Sequence, residues 1–77
     1  MRKTIHSTQS QVLREALKAI RKRTTLSQRG LCILLGREHS FINKVESGER
    51  RIDIVEFYWI CKACGADPEV EAQKLMK

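Results

Sequence analysis

The sequence predicts an all-α fold, a compact bundle of about five short helices in a single domain spanning residues 1–77. Three observations carry that expectation. Apolar residues recur at intervals of three and four along most of the chain. Helix-opening residues and glycine stops punctuate it at short intervals. No stretch alternates apolar and polar residues with period two for long enough to form a strand.

The first helix is predicted to start near Thr8, because Thr8 and Gln11 have the spacing of a capping box. Val12, Leu13, Ala16, Leu17 and Ile20 follow on one face. Arg21, Lys22 and Arg23 fall in the last turn, where positive charge suits the helix dipole, and Thr24-Thr25 ends it. Ser27 is the expected N-cap of a second helix and Gly36 its stop, with Leu31, Cys32 and Leu35 facing inward. Gly30 weakens this two-turn helix by roughly 1 kcal/mol relative to alanine, so packing must hold it. The third helix is predicted from His39 to Ser47, closed by Gly48, with Ile42 and Val45 buried. Asp53 and Glu56 form a second capping box that opens the fourth helix. Ile54, Phe57, Tyr58, Ile60, Cys61 and Cys64 supply its apolar face, and Gly65 ends it. Asp67-Pro68-Glu69 opens the fifth, with proline at the tolerated first position. Val70, Leu75 and Met76 are expected to face inward or toward a partner.

With 77 residues the chain has room for one modest core. Residues 1–51 hold twelve Lys/Arg against four Asp/Glu, a balance of +8, and residues 52–77 hold three against five, a balance of −2. A basic body with a mildly acidic tail suggests a polyanionic partner for the first part. The basic Met1-Arg2-Lys3 start is not followed by an apolar stretch, and no apolar run is long enough to cross a membrane. Three cysteines, an odd number, argue against a disulfide framework. Together these place the chain in the cytosol.

Cys61-x-x-Cys64 has the spacing of a zinc or redox pair. Both residues fall on the apolar face of a helix, where cysteine acts as a small hydrophobe. A zinc site would need two more ligands from Cys32, His6 or His39, and no second close pair exists. No metal and no cofactor is therefore expected. Neither histidine has a serine or cysteine at a recognisable nucleophile spacing, and no glycine-rich phosphate loop is present, so the chain is not expected to be an enzyme.

The segment from Leu26 to Glu46 carries the functional signal. Two short helices are joined by a tight turn at Gly36, the spacing of a helix-turn-helix over about residues 27–47. Leu26-Ser27-Gln28 opens it and Leu35-Gly36 closes the first helix. Ser40-x-Ile42-x-Lys44-Val45-Glu46-x-Gly48-Glu49-Arg50 runs through the third helix and its exit. In these elements, and in Arg51-Ile52-Asp53-Ile54-Val55-Glu56-Phe57 and Gly65-Ala66-Asp67-Pro68 after them, the sequence resembles the lambda-repressor-like helix-turn-helix family, also called the XRE type, over roughly Val12 to Pro68.

That resemblance implies a third helix lying in the major groove of double-stranded DNA. His39, Ser40 and Lys44 match the family's base-reading positions, with Phe41 and Asn43 beside them. Lys44 suits guanine, Asn43 or Ser40 a base edge or phosphate, and Phe41 a thymine methyl. Gln28 matches a position that contacts the backbone or buttresses the reading helix, and Ser27 beside it suits a phosphate at the helix N-terminus. Arg29, Arg37, Arg50 and Arg51 would add phosphate contacts. Arg21 and Glu46 match a partly buried structural salt bridge.

The chain departs from the family pattern at several positions. Gly30 replaces a polar helix former, and Cys32 stands where alanine is usual. Glu38 sits where Ser or Thr is commoner. Ile33, Leu34 and Trp59 are apolar where the family is polar; they are either core or an exposed patch that meets a partner. The C-terminal helices, about 53–76, are expected to serve the core and dimerisation, with Trp59, Val70, Leu75 and Met76 as the homodimer interface. The expected function is a sequence-specific transcriptional regulator, a repressor on a palindromic operator at the nucleoid. The alternative is an antitoxin or adaptor that keeps the fold and holds a protein partner.

Overall fold

The computed structural model describes residues 3–76. The Met1-Arg2 start lies outside the described residues, as does the side chain of His6. Five helices follow in chain order: α1 (Lys3–Lys22), α2 (Gln28–Leu35), α3 (Phe41–Ser47), α4 (Ile54–Ala63) and α5 (Pro68–Leu75). No described residue is in a strand.

The caps explain most of the boundaries. Ser27 stands in extended backbone and its side chain accepts from the Gly30 amide at 2.9 Å, which opens α2. Asp53 accepts from the Glu56 amide at 2.7 Å while Glu56 accepts from the Asp53 amide at 3.0 Å, a complete capping box for α4. Asp67 accepts from the Glu69 amide ahead of Pro68. Two boundaries differ from the sequence expectation. α1 begins at Lys3, because no proline or glycine lies ahead of Thr8 to stop the helix extending. α3 begins at Phe41, so His39 and Ser40 belong to the turn.

The core draws Leu17 and Ile20 from α1, Leu31 and Cys32 from α2, Phe41, Ile42 and Val45 from α3, and Phe57, Ile60 and Cys61 from α4. α3 packs on α1 and α2, and α4 packs on α1, α2 and α5. Leu13, Leu35, Ala72 and Leu75 are half-buried against this core. Val12, Ile54 and Tyr58, expected to face inward, are exposed instead. On α4, Phe57, Ile60 and Cys61 fill one arc and the 100° step per residue carries Tyr58 out of it, whereas Ile54 shares the side of Phe57 and Cys61 but stands at the very start of the helix. Arg23, just after α1, donates to Glu71 of α5 at 2.9 Å and ties the last helix down.

Candidate nucleic-acid interface

α2 and α3 are locked together by a four-residue polar chain. Arg21 of α1 makes a bidentate pair with Glu46 of α3, Nε to Oε2 at 2.7 Å and Nη2 to Oε1 at 3.1 Å. The two side chains are only 10 % and 5 % exposed. Arg21 Nη1 also donates to the Leu26 carbonyl at 3.0 Å, which fixes the entry to α2. Burial alone would raise the Glu46 carboxyl, but hydrogen bonds from Arg21 and Gln28 outweigh it and hold the group below the usual carboxylate range. Arg21 is thereby withdrawn from any DNA contact.

Gln28, the first residue of α2, donates from Nε2 to Glu46 Oε1 at 2.8 Å. A carboxylate only accepts, so the amide nitrogen must face Glu46 and the carbonyl oxygen must face outward. There it accepts from Asn43 Nδ2 of α3 at 3.4 Å. The start of the second helix thus buttresses the exposed face of the third.

The turn before α3 is held by an unexpected group. Ser40 makes no side-chain cap. Instead the buried Cys32 thiol donates to the His39 carbonyl and accepts from the Ile42 amide, both at 3.4 Å. A thiol at this close helix crossing anchors both ends of the first turn of α3.

The site residues expected from the sequence divide into three groups. Arg29, His39, Ser40, Asn43, Lys44 and Arg51 are exposed, and Ser27 is exposed while serving as a cap. Arg37 and Arg50 are engaged within the protein: Arg37 donates to Glu56 at 2.9 Å and Arg50 makes two bonds to it at 3.0 Å. Phe41 is the correction. It is 1 % exposed, with the guanidinium carbons of Arg37 and Arg50 at 4.0 and 4.9 Å from its ring centre. It packs as a core residue and has no free edge for a thymine methyl.

Glu56 is the functional residue that the sequence reading missed beyond its capping role. Bonds from Arg50 first, then from Arg37 and its own helix start, bring its carboxyl down to about 2. It pins the entry and the exit of α3 to α4. Arg14 was missed as well. It stands seven residues, two helical turns, before Arg21, and that spacing was the available signal that it shares the buried face.

Among the expected interface residues, Trp59, Val70 and Met76 are exposed, whereas Leu75 is half-buried against the core. They do not gather in one hollow. Trp59 lines a cleft of about 540 Å³ with Leu34 and Val55, between α2 and α4. Met76 lines another, of about 300 Å³, with Val12 and Ile54. Ile33 and Leu34 are exposed, so the apolar departures form surface and not core. Burial pushes the Cys61 thiol up to about 11, which keeps it protonated at neutral pH as a small apolar side chain. Among the described residues no three acidic, cysteine or histidine side chains gather as a metal site.

A family model described as a helix-turn-helix domain matches residues 12–74. The chain is similar in structure to an XRE-family like protein from Pseudomonas syringae pv. tomato str. DC3000, with a TM-score of 0.89 and 39 % sequence identity. That alignment covers 96 % of this chain and 90 % of the other. No curated protein matches the chain.

Proposed function

The chain belongs to the helix-turn-helix domain family, of the XRE type, a DNA-binding kind, and on that footing we propose that it is a sequence-specific transcriptional regulator that binds a palindromic operator as a homodimer and represses from it. The observation that carries this reading is the lock from Arg21 through Glu46 and Gln28 to Asn43. It holds α2 and α3 in fixed relation and leaves Asn43 and Lys44 on the outer face of α3, with His39 and Ser40 just ahead of it. These side chains have the chemistry to read base edges. Arg29 and Arg51 add exposed cations for the phosphates, which supply affinity without choosing sequence. The protein acts by occupying DNA at the nucleoid and excluding polymerase, not by catalysis.

One seven-residue reading helix offers few base contacts, and two copies on a two-fold site multiply them. The solvent face of α4 supports pairing. Its five outward residues are Ile54, Val55, Tyr58, Trp59 and Lys62, four of them apolar or aromatic. A helix without a polar face is normally covered. An antiparallel crossing of two α4 helices near Tyr58 would bring Lys62 toward the partner subunit's Asp53, so the face is complementary to itself in charge.

A second reading, an adaptor or antitoxin that holds a protein partner, draws on the apolar cleft of Leu34, Val55 and Trp59. Selection of binding sites from a randomised duplex library at about 0.15 M salt, where backbone binding is weakened, separates the two. The regulator reading expects an enriched palindrome with half-sites about one helical turn apart. An unenriched library would overturn it and favour the adaptor.

A further inference from the structure

A second basic feature lies outside the helix-turn-helix. A cleft of about 500 Å³ runs between the N-terminal half of α1 and the exit of α3. Arg14, Arg50 and Arg51 line it, with Gln9 and Gln11, and none of the described residues that line it is acidic. Arg50 is ion-paired with Glu56, which it shares with Arg37. Arg14 and Arg51 have no ion-pair partner among the described residues, so two uncompensated cations face one hollow.

Arg14 is the unusual member. Its Nε is buried and has no hydrogen-bond partner among the described residues. Buried polar groups are nearly always bonded, and one left unbonded costs stability, so its persistence calls for an explanation. The backbone makes room for it. A Cβ on Gly48 would stand 2.9 Å from Arg14 Cζ and 3.1 Å from its Cδ, so the guanidinium crosses the space that any side chain at position 48 would fill. Gly48 therefore does more than end α3; it admits Arg14 to the cleft. The Nη donors of Arg14, in one cleft with Arg51 and with no acid lining it, offer a phosphate charge-assisted hydrogen bonds.

We infer that Arg14, seated over Gly48, and Arg51 in the same cleft form a phosphate-binding site that receives a backbone phosphate of the bound duplex outside the segment read by α3. The inference rests on the DNA-binding reading for the source of the phosphate, though not for the site itself. It adds α1 to a footprint that the sequence confined to α2, α3 and the loop after α3.

The experiment compares the full chain with Arg14→Gln, Arg51→Gln and, as an equal loss of charge elsewhere, the exposed Lys74→Gln on α5. Affinity for a duplex of about thirty base pairs is measured from 50 to 200 mM salt, and thermal melts are run with and without inorganic pyrophosphate at constant ionic strength. Each phosphate neutralised by a protein cation, with release of its counterions, contributes a slope of about −0.9 in log affinity against log salt. Arg14→Gln and Arg51→Gln are each expected to flatten the slope by about one, roughly three- to four-fold less loss of affinity over this range, while Lys74→Gln leaves it unchanged. An unchanged duplex slope, with pyrophosphate raising the melting temperature of the parent but not of Arg14→Gln, would keep the site and assign it to a soluble phosphate. Should the parent bind no duplex at any salt, the regulator reading falls, and the pyrophosphate melts alone decide the site. Equal slopes and equal pyrophosphate responses in parent and variants overturn the inference. Arg51, on the exposed loop, keeps the test decisive if Arg14→Gln folds poorly.

Discussion

At the scale of single residues, buried charge governs the outcome. Arg21 offers Glu46 two hydrogen bonds in a nearly dry setting, and its third nitrogen holds Leu26. Removing one partner strands the other's charge, which typically costs about 3–5 kcal/mol. Arg21→Ala is expected to lower the melting temperature markedly, and denaturant unfolding checks it; unchanged stability would remove the pair from its structural role. Glu56 gives a second prediction. Its folded value, about 2, lies below its ordinary 4.5, so its contribution is fully present above about 4.5 and is lost as pH falls toward 2. Thermal melts across that window should show a steeper decline for the parent than for Glu56→Gln, which has no charge there to lose. Neither interaction could be read from spacing. Arg21 and Glu46 are 25 residues apart, and their pairing came only from the resemblance. Phe41 shows the opposite case. It lies four residues before Val45, on the same helical face, a spacing that fits the core although the sequence expectation put only Ile42 and Val45 there and Phe41 at the groove. Burial decided for the core because Arg37 and Arg50 cover its ring.

At the scale of the element, what was legible was chemistry local to the chain. The Asp53–Glu56 box, the Ser27 cap and the glycine stops are set by neighbours three or four residues away, and they stand where the sequence put them. The start of α1 was not legible, since the Thr8-x-x-Gln11 spacing permits a cap without requiring one. Nor was the thiol of Cys32 as the anchor of α3, because that contact crosses from one helix to the next. Gly36 and Gly48 test the elements directly. Both have positive φ, 68° and 87°, where an L side chain costs roughly 1–2 kcal/mol. A Cβ at Gly36 meets nothing within 4 Å, whereas at Gly48 it meets the flexible end of Arg14. Gly36→Ala and Gly48→Ala should therefore lose similar stability, because the Arg14 guanidinium can swing away. Only Gly48→Ala should also flatten the salt dependence of DNA binding. Equal salt slopes in the two variants would separate Gly48 from the phosphate site.

At the scale of the whole molecule, the surface is divided between two kinds of chemistry. Polar and basic residues cluster at the start of α2, on α3 and in the cleft toward α1, while the end of α2 exposes Ile33 and Leu34 and the outward side of α4 is apolar with one lysine. The sequence showed this division only as a charge balance and three misplaced apolar residues. It could not show that Trp59 and Met76 occupy separate hollows, because their separation depends on how α4 and α5 pack. Of the expected interface residues, Trp59 lies on α4 and Val70, Leu75 and Met76 on or beside α5, and the dimer proposed above centres on α4. Trp59 is 55 % exposed and meets Tyr58 edge-on with ring centres 5.0 Å apart, so a large aromatic surface stands ready for burial. Truncating an aromatic at the centre of an interface commonly costs 2 kcal/mol or more, about thirty-fold in dissociation constant. Trp59→Ser should therefore shift the parent's dimer to monomer in sedimentation velocity at micromolar concentration, while its melting temperature as a monomer changes little. Affinity for an isolated half-site should survive, because α3 and its supports are untouched, and the gain from a second half-site should vanish. A parent chain that sediments as a monomer, or a variant that dimerises as well as the parent, would show that α4 faces something other than a second copy. The Leu34–Trp59 cleft would then be the place to look for a different protein.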